Sequence, residues 1–369
     1  MAQRPFRISS RLAELDTPAN ARVNRRLLVS LVIGPFCGLI SFLTTRLPDF
    51  PNQDFYVWWL AARAVLIGAD PYAAISVAPF PALHGFLYPL PAALATIPLA
   101  WIPPATAGAI FVGVSCGALA FAVTQVAWWP LLMFVSGSMI LSVMMAQWSP
   151  LLTLAMLVPS VSWIGILKPN IGLAVLASRP SPRTLAAMAA VMLVSLMVMP
   201  NWPREWLSNA IGSPVHFEPW RAPGGFLLFA ALLRWRRPEG RMLAALAIVP
   251  SSPIVYEALP LFVIPQRRTE MLVLTITSNL MFLLMLGRSL QHETAEYLLV
   301  SRPAIVWLMY LPALAMVLRR PNEGEVPAWI ERAASRCPLW LRGKPNPPTG
   351  ELVASKEESH NHYPPHRNI

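Results

Sequence analysis

An all-α bundle of about 10–12 membrane-spanning helices is the fold the sequence predicts, at roughly 20 apolar residues per crossing. Three observations carry it. Of 369 residues, 55% are hydrophobic and only 13% charged, where soluble domains carry about 25% charged residues. Apolar runs such as residues 27–43, 107–129 and 271–286 come close to the length that crosses about 30 Å of hydrocarbon. Backbone groups in lipid must be satisfied within the chain, so such runs are helical.

The net charge of +11 raises nucleic acid as a partner, but the placement of the basic residues argues against it. They fall in short clusters between apolar runs: Arg22, Arg25 and Arg26; Arg179 and Arg183; Arg234, Arg236, Arg237 and Arg241; Arg267 and Arg268; Arg319 and Arg320. Loops on the cytoplasmic side of a membrane are enriched in this way. The three cysteines are too few and too scattered for a disulfide framework or a metal site.

Taken in order, residues 1–26 form a polar cytoplasmic tail without a cleavable signal core. Its RVNRR end fixes the first span, residues 27–45, to emerge on the far face. An outer loop follows at about 46–90. Within it, Pro51, Asn52 and Asp54 signal a helix start, and Gly68 with Asp70-Pro71 signals its stop. The helix between them is too short to span and lies in the interface, with Trp58 and Trp59 at the membrane boundary. At about 100° per residue, Asp54, Trp58, Ala61 and Val65 share one face and Arg63 lies opposite.

FLYPLPAALATIPLAWIPP (86–104) returns the chain across the membrane, and further spans are expected at about 105–127 and from Trp129 to about residue 147. From there to residue 177 the apolar chain is punctuated by Pro150, Pro159, Gly165 and Pro169, which gives broken or re-entrant helices. A span at 184–200 leads to a second outer loop, 201–222. Residues 241–266 form a hairpin of two short helices with Tyr256 and Glu257 near its outer end. Spans at 271–287 and 297–318 flank a third outer loop, 288–296, and residues 319–369 form a polar cytoplasmic tail. Eight of the 18 carboxylates then fall on or near the outer side: Asp49, Asp54, Asp70, Glu205, Glu218, Glu257, Glu293 and Glu296.

The acidic, aromatic first outer loop has the composition of a site for chemistry at the membrane surface. Asp54 has two readings, a helix cap that satisfies free backbone N–H groups or a catalytic carboxylate. Asp70 reads as a turn residue. Lys168 is the only lysine before residue 320. Embedded in apolar sequence, it is either a functional charge or a lysine snorkelling from a helix end. Arg63, Arg204 and Arg221 are further cations on the outer side, suited to a phosphate or to the interface. His84 and His216 are loop histidines that would meet sugar hydroxyls or only water. Trp58, Trp202 and Trp206 would stack on a ligand or anchor in the interface. There is no glycine-rich nucleotide loop and no metal-binding Cys/His spacing.

Four stretches, in this order and spacing, carry a family likeness: DFYVWWLAARAVLIGADPY, FLYPLP, AQWSPLLTLAML followed by GILKPN, and SPIVYEALP. The chain resembles the glycosyltransferase family 87 proteins, polytopic enzymes of the GT-C fold that include polyprenol-phosphate-mannose-dependent mannosyltransferases. The likeness extends from about residue 28 to 318. It implies Asp54 as the catalytic base of an inverting sugar transfer from a polyprenyl-phosphate-linked hexose to a lipid or glycan acceptor. Lys168, Arg63, Arg204 and Arg221 become candidates for the donor phosphate, and Tyr88, His84, Gln147, Tyr256, Glu257 and Trp58 for substrate binding. It implies no metal, no cofactor beyond the lipid-linked donor, and a place in the bacterial inner membrane with both termini cytoplasmic. The sequence departs from the family pattern at Ala146, where a glycine precedes the glutamine, at Leu90, where a second proline follows Tyr-Pro, and at Glu257, where relatives often carry histidine. A transporter or flippase of a lipid-linked sugar, with Lys168, Glu257 and the broken helices lining its path, is the alternative.

Overall fold

A computed structural model describes residues 18–47, 54–76, 86–211, 217–289, 301–324, 326–327, 330–332 and 335–336. Asp49, His84, His216, Glu293, Glu296, Cys337 and most of the C-terminal tail lie outside them. The helices are α1 (Pro18–Thr44), α2 (Asp54–Leu66), α3 (Pro71–Ser76), α4 (Leu90–Thr96, extended by a 3-10 turn to Leu99), α5 (Pro104–Val123), α6 (Gly137–Met144) and α7 (Ser149–Leu157). They continue with α8 (Pro169–Ser178), α9 (Pro182–Val198), α10 (Trp202–Ile211), α11 (Pro238–Ile248), α12 (Arg268–Ser289) and α13 (Ser301–Leu318, with a π turn at Val306–Tyr310). Tighter 3-10 segments intervene at Trp129–Val135, Pro159–Leu167, Gly225–Arg234 and Val255–Val263. Among the described residues there is no sheet, only an isolated bridge between Phe217 and Ser251.

The all-α, membrane-spanning class predicted from composition is what the chain folds into, but the number of spans is not. Among the described residues four helices are long and apolar enough to cross, at Arg22–Thr44, Pro104–Val123, Arg268–Gly287 and Ser301–Leu318; the bent pair α9 and α10 makes a fifth if it counts as one span. Proline accounts for the difference. The sequence holds 39 prolines, and most of the short helices begin with one in the first turn. A missing N–H costs no helix bond at that position, whereas further in it removes one and kinks the helix. Outside the four long helices the apolar runs are thereby cut into pieces of ten residues or so, about 15 Å long.

One such piece corrects the predicted topology. Leu90–Leu99 is a short apolar helix, about half a hydrocarbon thickness at 1.5 Å per residue, so the stretch 86–104 does not return the chain across the bundle. Accordingly α5 runs antiparallel to α1. The Arg26 guanidinium lies 4.2 Å from the Phe121 ring centre and donates to the Phe121 carbonyl at 3.0 Å, and Ser30 donates to Gly117 O at 2.5 Å. Two GxxxG stretches lock this pair. A Cβ on Gly34 would sit 2.7 Å from the Gly113 carbonyl oxygen, and one on Gly38 2.7 Å from that of Ala109. Only glycine allows so close a backbone approach. The far side of α1 (Leu28, Leu31, Val32, Phe36, Leu39) is left exposed, as a lipid-facing wall would be.

The basic clusters gather at one end of the bundle. Arg241 donates to the carbonyls of Ala177 and Ser178 at 2.8 and 2.6 Å, closing the C-terminus of α8. Arg234 donates to Leu318 O at 2.8 Å and also to Arg320 O. Arg320 in turn pairs with Glu270 at 2.8 Å and Glu239 at 3.4 Å. The segment Trp129–Val135 and α6 rise from this end alongside α12, where Ser138 and Ser278 meet at 2.9 Å. The described residues 45–47, 54–76 and 86–103 occupy the opposite end.

Candidate active site

Asp54 opens α2, and its backbone N–H donates to Met145 O at 3.1 Å, tying α2 to the end of α6. Its side chain is not spent on capping. Gln147 Nε2 donates to Asp54 Oδ2, and the Tyr256 hydroxyl approaches the same oxygen at 3.5 Å. Gln147 Oε1 accepts from Lys168 Nζ at 3.4 Å, and Lys168 Nζ donates to Glu257 Oε1 at 2.7 Å. Lysine can only donate, so its contact fixes the Gln147 amide with its NH2 toward Asp54. Ser252 Oγ donates to Glu257 Oε1 at 3.4 Å. Lys168 also lies 5.8 and 5.4 Å from the ring centres of Tyr88 and Tyr256, within cation–π range.

Four elements far apart in the chain thus deliver two carboxylates, one ammonium and an amide to one point. Lys168 and Glu257 are 6% and 5% exposed, Gln147 is fully buried, and Asp54 is half-buried. The depth follows from helix lengths. Lys168 precedes α8, whose ten residues reach the basic end in about 15 Å, and the Asp54 wall touches Phe111, seven residues or about 10 Å from the other end of α5. The group therefore lies inside the bundle, deeper than the surface loop expected from sequence.

Aromatic packing makes it rigid. Trp58 is fully buried and meets Trp148, Tyr88, Phe55 and Phe111 at 4.7–5.7 Å between ring centres. It is a core residue of α2, which corrects both the interface anchor and the open stacking platform. Asp70 accepts from Tyr72 N at 2.8 Å, the turn role expected for it, and Tyr72 donates to Tyr88 O at 3.1 Å. Trp206 of α10 donates to Leu87 O at 2.9 Å, pinning FLYPLP over the site, and Trp202 is buried against Ser195.

The three candidate arginines do not join the group. Arg63 is exposed on the opposite face of α2, stacked on Trp59 at 5.0 Å. Arg204 is exposed on α10, and Arg221 is exposed and paired with Glu218 at 3.5 Å. Among the described residues no three His, Cys, Asp or Glu side chains converge.

Two features were not foreseen. Ala146, fully buried before Gln147, has φ +49°, a conformation that costs an L-residue about 1–2 kcal/mol. Strain of this kind collects at functional sites, and here it turns the chain so that Gln147 N–H reaches Ser142 O at 2.8 Å. An ordinary buried Ala→Gly change costs about 1.5 kcal/mol, from the lost methyl and added chain entropy. At Ala146 the relieved strain offsets this, so Ala146→Gly is expected to leave the melting temperature nearly unchanged. A drop like that of a buried alanine in α5, such as Ala120→Gly, would show that the strain is not there. The second feature is a set of buried polar atoms with no partner among the described residues: Glu257 Oε2, Trp148 Nε1 and Ser149 Oγ. Such atoms are costly unless something meets them.

Burial pushes the Asp54 carboxyl up to about 6, against the opposing pull of the Lys168 charge and the Gln147 hydrogen bond. Because the folded pKa is raised, this group's contribution to stability falls as pH rises from the ordinary carboxylate value through about 6. A base must be ionised to act. Any activity that uses Asp54 as base is therefore expected to rise through about pH 6 and level off above it. Lys168→Met, which removes the main lowering influence, moves that midpoint upward. A flat profile from pH 5 to 8 would contradict this assignment. Comparison of the chain with models of known protein families, with curated proteins and with solved structures gives no match.

Proposed function

We propose that the protein is an integral-membrane inverting glycosyltransferase that moves a hexose, mannose by resemblance, from a polyprenyl-phosphate donor to a lipid or glycan acceptor. The observation that carries this reading is the convergence on Asp54, in the first of the four stretches that resemble family 87, of two others through Gln147, Lys168, Tyr256 and Glu257, with Tyr88 of the remaining stretch closing the wall. In the proposed step the acceptor hydroxyl gives its proton to Asp54 and its oxygen bonds to the anomeric carbon. The bond from that carbon to the phosphate oxygen breaks, and the polyprenyl phosphate leaves with the electron pair. One displacement inverts the anomeric centre, and holding both substrates together removes much of the entropic barrier. Gln147 and Tyr256 engage one Asp54 oxygen, leaving Oδ1 for the incoming proton. The unpartnered Glu257 Oε2, Trp148 Nε1 and Ser149 Oγ suit a ligand rich in hydroxyls. Lys168, held by Glu257, supplies positive charge beside the leaving phosphate.

A second reading, transport of the intact lipid-linked sugar, draws on the buried Lys168–Glu257 pair amid broken helices. Proteoliposomes containing the full chain and a polyprenyl-phosphate hexose labelled in the sugar distinguish the two. Label appearing on acceptor lipid, with unlabelled polyprenyl phosphate released, supports transfer. Movement of intact donor between leaflets without released polyprenyl phosphate selects transport.

A further inference from the structure

We infer that the basic end of the bundle carries a separate binding site for the phosphate of an anionic membrane lipid. A cavity of about 290 Å³ is lined by Gln266, Arg267, Thr269 and Glu270 at the start of α12 and by Arg319 and Arg320 after α13. Its charges do not balance. Arg320 is satisfied by Glu270 and Glu239 at 2.8 and 3.4 Å, whereas Arg267 and Arg319 are exposed and have no carboxylate partner among the described residues. The first bond of α12 is from Met271 N–H to Arg267 O at 3.1 Å, so the backbone N–H groups of residues 268–270 open the helix without intrahelical partners. Two free guanidinium groups beside the positive end of a long helix make a cradle for phosphate oxygens.

The surface beneath the cavity identifies the rest of the ligand. Thr269 lines the cavity, and at helical spacing below it Val273, Ile276, Leu280 and Leu283 form one stripe of α12, 45%, 63%, 47% and 61% exposed. This stripe belongs to a helix long and apolar enough to cross a membrane. A molecule with a phosphate at one end and hydrocarbon at the other matches both surfaces, and a free phosphate ion matches only the first. Basic pockets beside spanning helices bind lipid headgroups in this manner. The site stands at the opposite end from Asp54 and does not depend on the sugar-transfer reading.

The test uses the full chain in phosphatidylcholine nanodiscs containing a tenth phosphatidylglycerol, with bound lipid counted by native mass spectrometry. The wild type is expected to retain phosphatidylglycerol in preference to phosphatidylcholine. The double variant Arg267→Gln, Arg319→Gln is expected to lose roughly 30-fold in that preference, the effect of two surface cations. Both side chains are exposed, so the fold survives, which a melting curve verifies. The variant Arg22→Gln, Arg25→Gln carries the same charge change on exposed positions of α1 and is expected to retain the lipid. Equal loss in both variants, or no loss in the first, overturns the proposal. So does displacement of the lipid by millimolar inorganic phosphate, which would make the cavity a site for the free ion.

Discussion

Asp54→Asn is expected to abolish sugar transfer, lowering the rate by about 10²- to 10⁴-fold, the usual contribution of a positioned base. The chain should still fold, because asparagine keeps the shape of aspartate and an oxygen to accept from Gln147 Nε2. Asp70→Asn is the matched control. Its carboxylate accepts from Tyr72 N in a turn, a bond that an asparagine oxygen also makes, so transfer should remain near the wild-type rate. Membranes supplied with polyprenyl-phosphate hexose provide the assay. Wild-type activity in Asp54→Asn would remove Asp54 from the chemistry.

Lys168→Met is expected to cost about 3–5 kcal/mol of stability, the loss typical when one partner of a buried ion pair is removed. The Lys168–Glu257 contact is 2.7 Å and both side chains are almost fully enclosed. Without Lys168, Glu257 keeps only the 3.4 Å contact with Ser252. Adding Glu257→Leu to Lys168→Met should recover at least half of the loss, because two well-packed apolar residues carry no desolvation penalty. Thermal unfolding in detergent reads both effects. A single-variant loss of under about 1 kcal/mol would place the pair in a wetter environment than its burial indicates.

Much of the scaffold was legible in the sequence, and for identifiable reasons. The span from Arg22 to Thr44 was marked by RVNRR and an unbroken apolar run. Helix α2 was bounded by its own start and stop signals, and its buried and exposed faces followed from helical spacing, down to Arg63 lying opposite Asp54. The break at PSSP between two short helical pieces could be read, and the pieces are Pro238–Ile248 and a 3-10 segment at Val255–Val263 bearing Tyr256 and Glu257, which packs on α6 and α7 and does not fold back on α11 as a hairpin. What failed was counting. The stretch 86–104 has the composition of a span, yet Pro89, Pro91 and Pro98 leave a helix only ten residues long, and the direction of every later segment depends on that one step. The close packing of α1 against α5 had a signal that the reading missed, the glycine spacing of GPFCG and GVSCG.

The site was legible as a list and not as a geometry. Asp54 and Lys168 were singled out by residue type in an unusual setting, and Gln147, Tyr256 and Glu257 through the family likeness. Their mutual contacts join positions 21 to 202 residues apart, and no local periodicity encodes such pairings. Lys168 was weighed as a free cation because the apolar sequence around it hides its partner, Glu257, 89 positions away. Trp58 was misplaced for a related reason. Tryptophan is common at interfaces, and only the fold brings Phe111 and Trp148 around it.

The most direct test of Asp54 as the base of a single displacement is the anomeric configuration of the product. Wild-type protein in liposomes, given a polyprenyl-phosphate hexose of one defined configuration, should release an acceptor-linked sugar of the opposite configuration, read by the anomeric proton coupling. A product that retains the donor configuration, or no transferred sugar with any acceptor lipid, would contradict it.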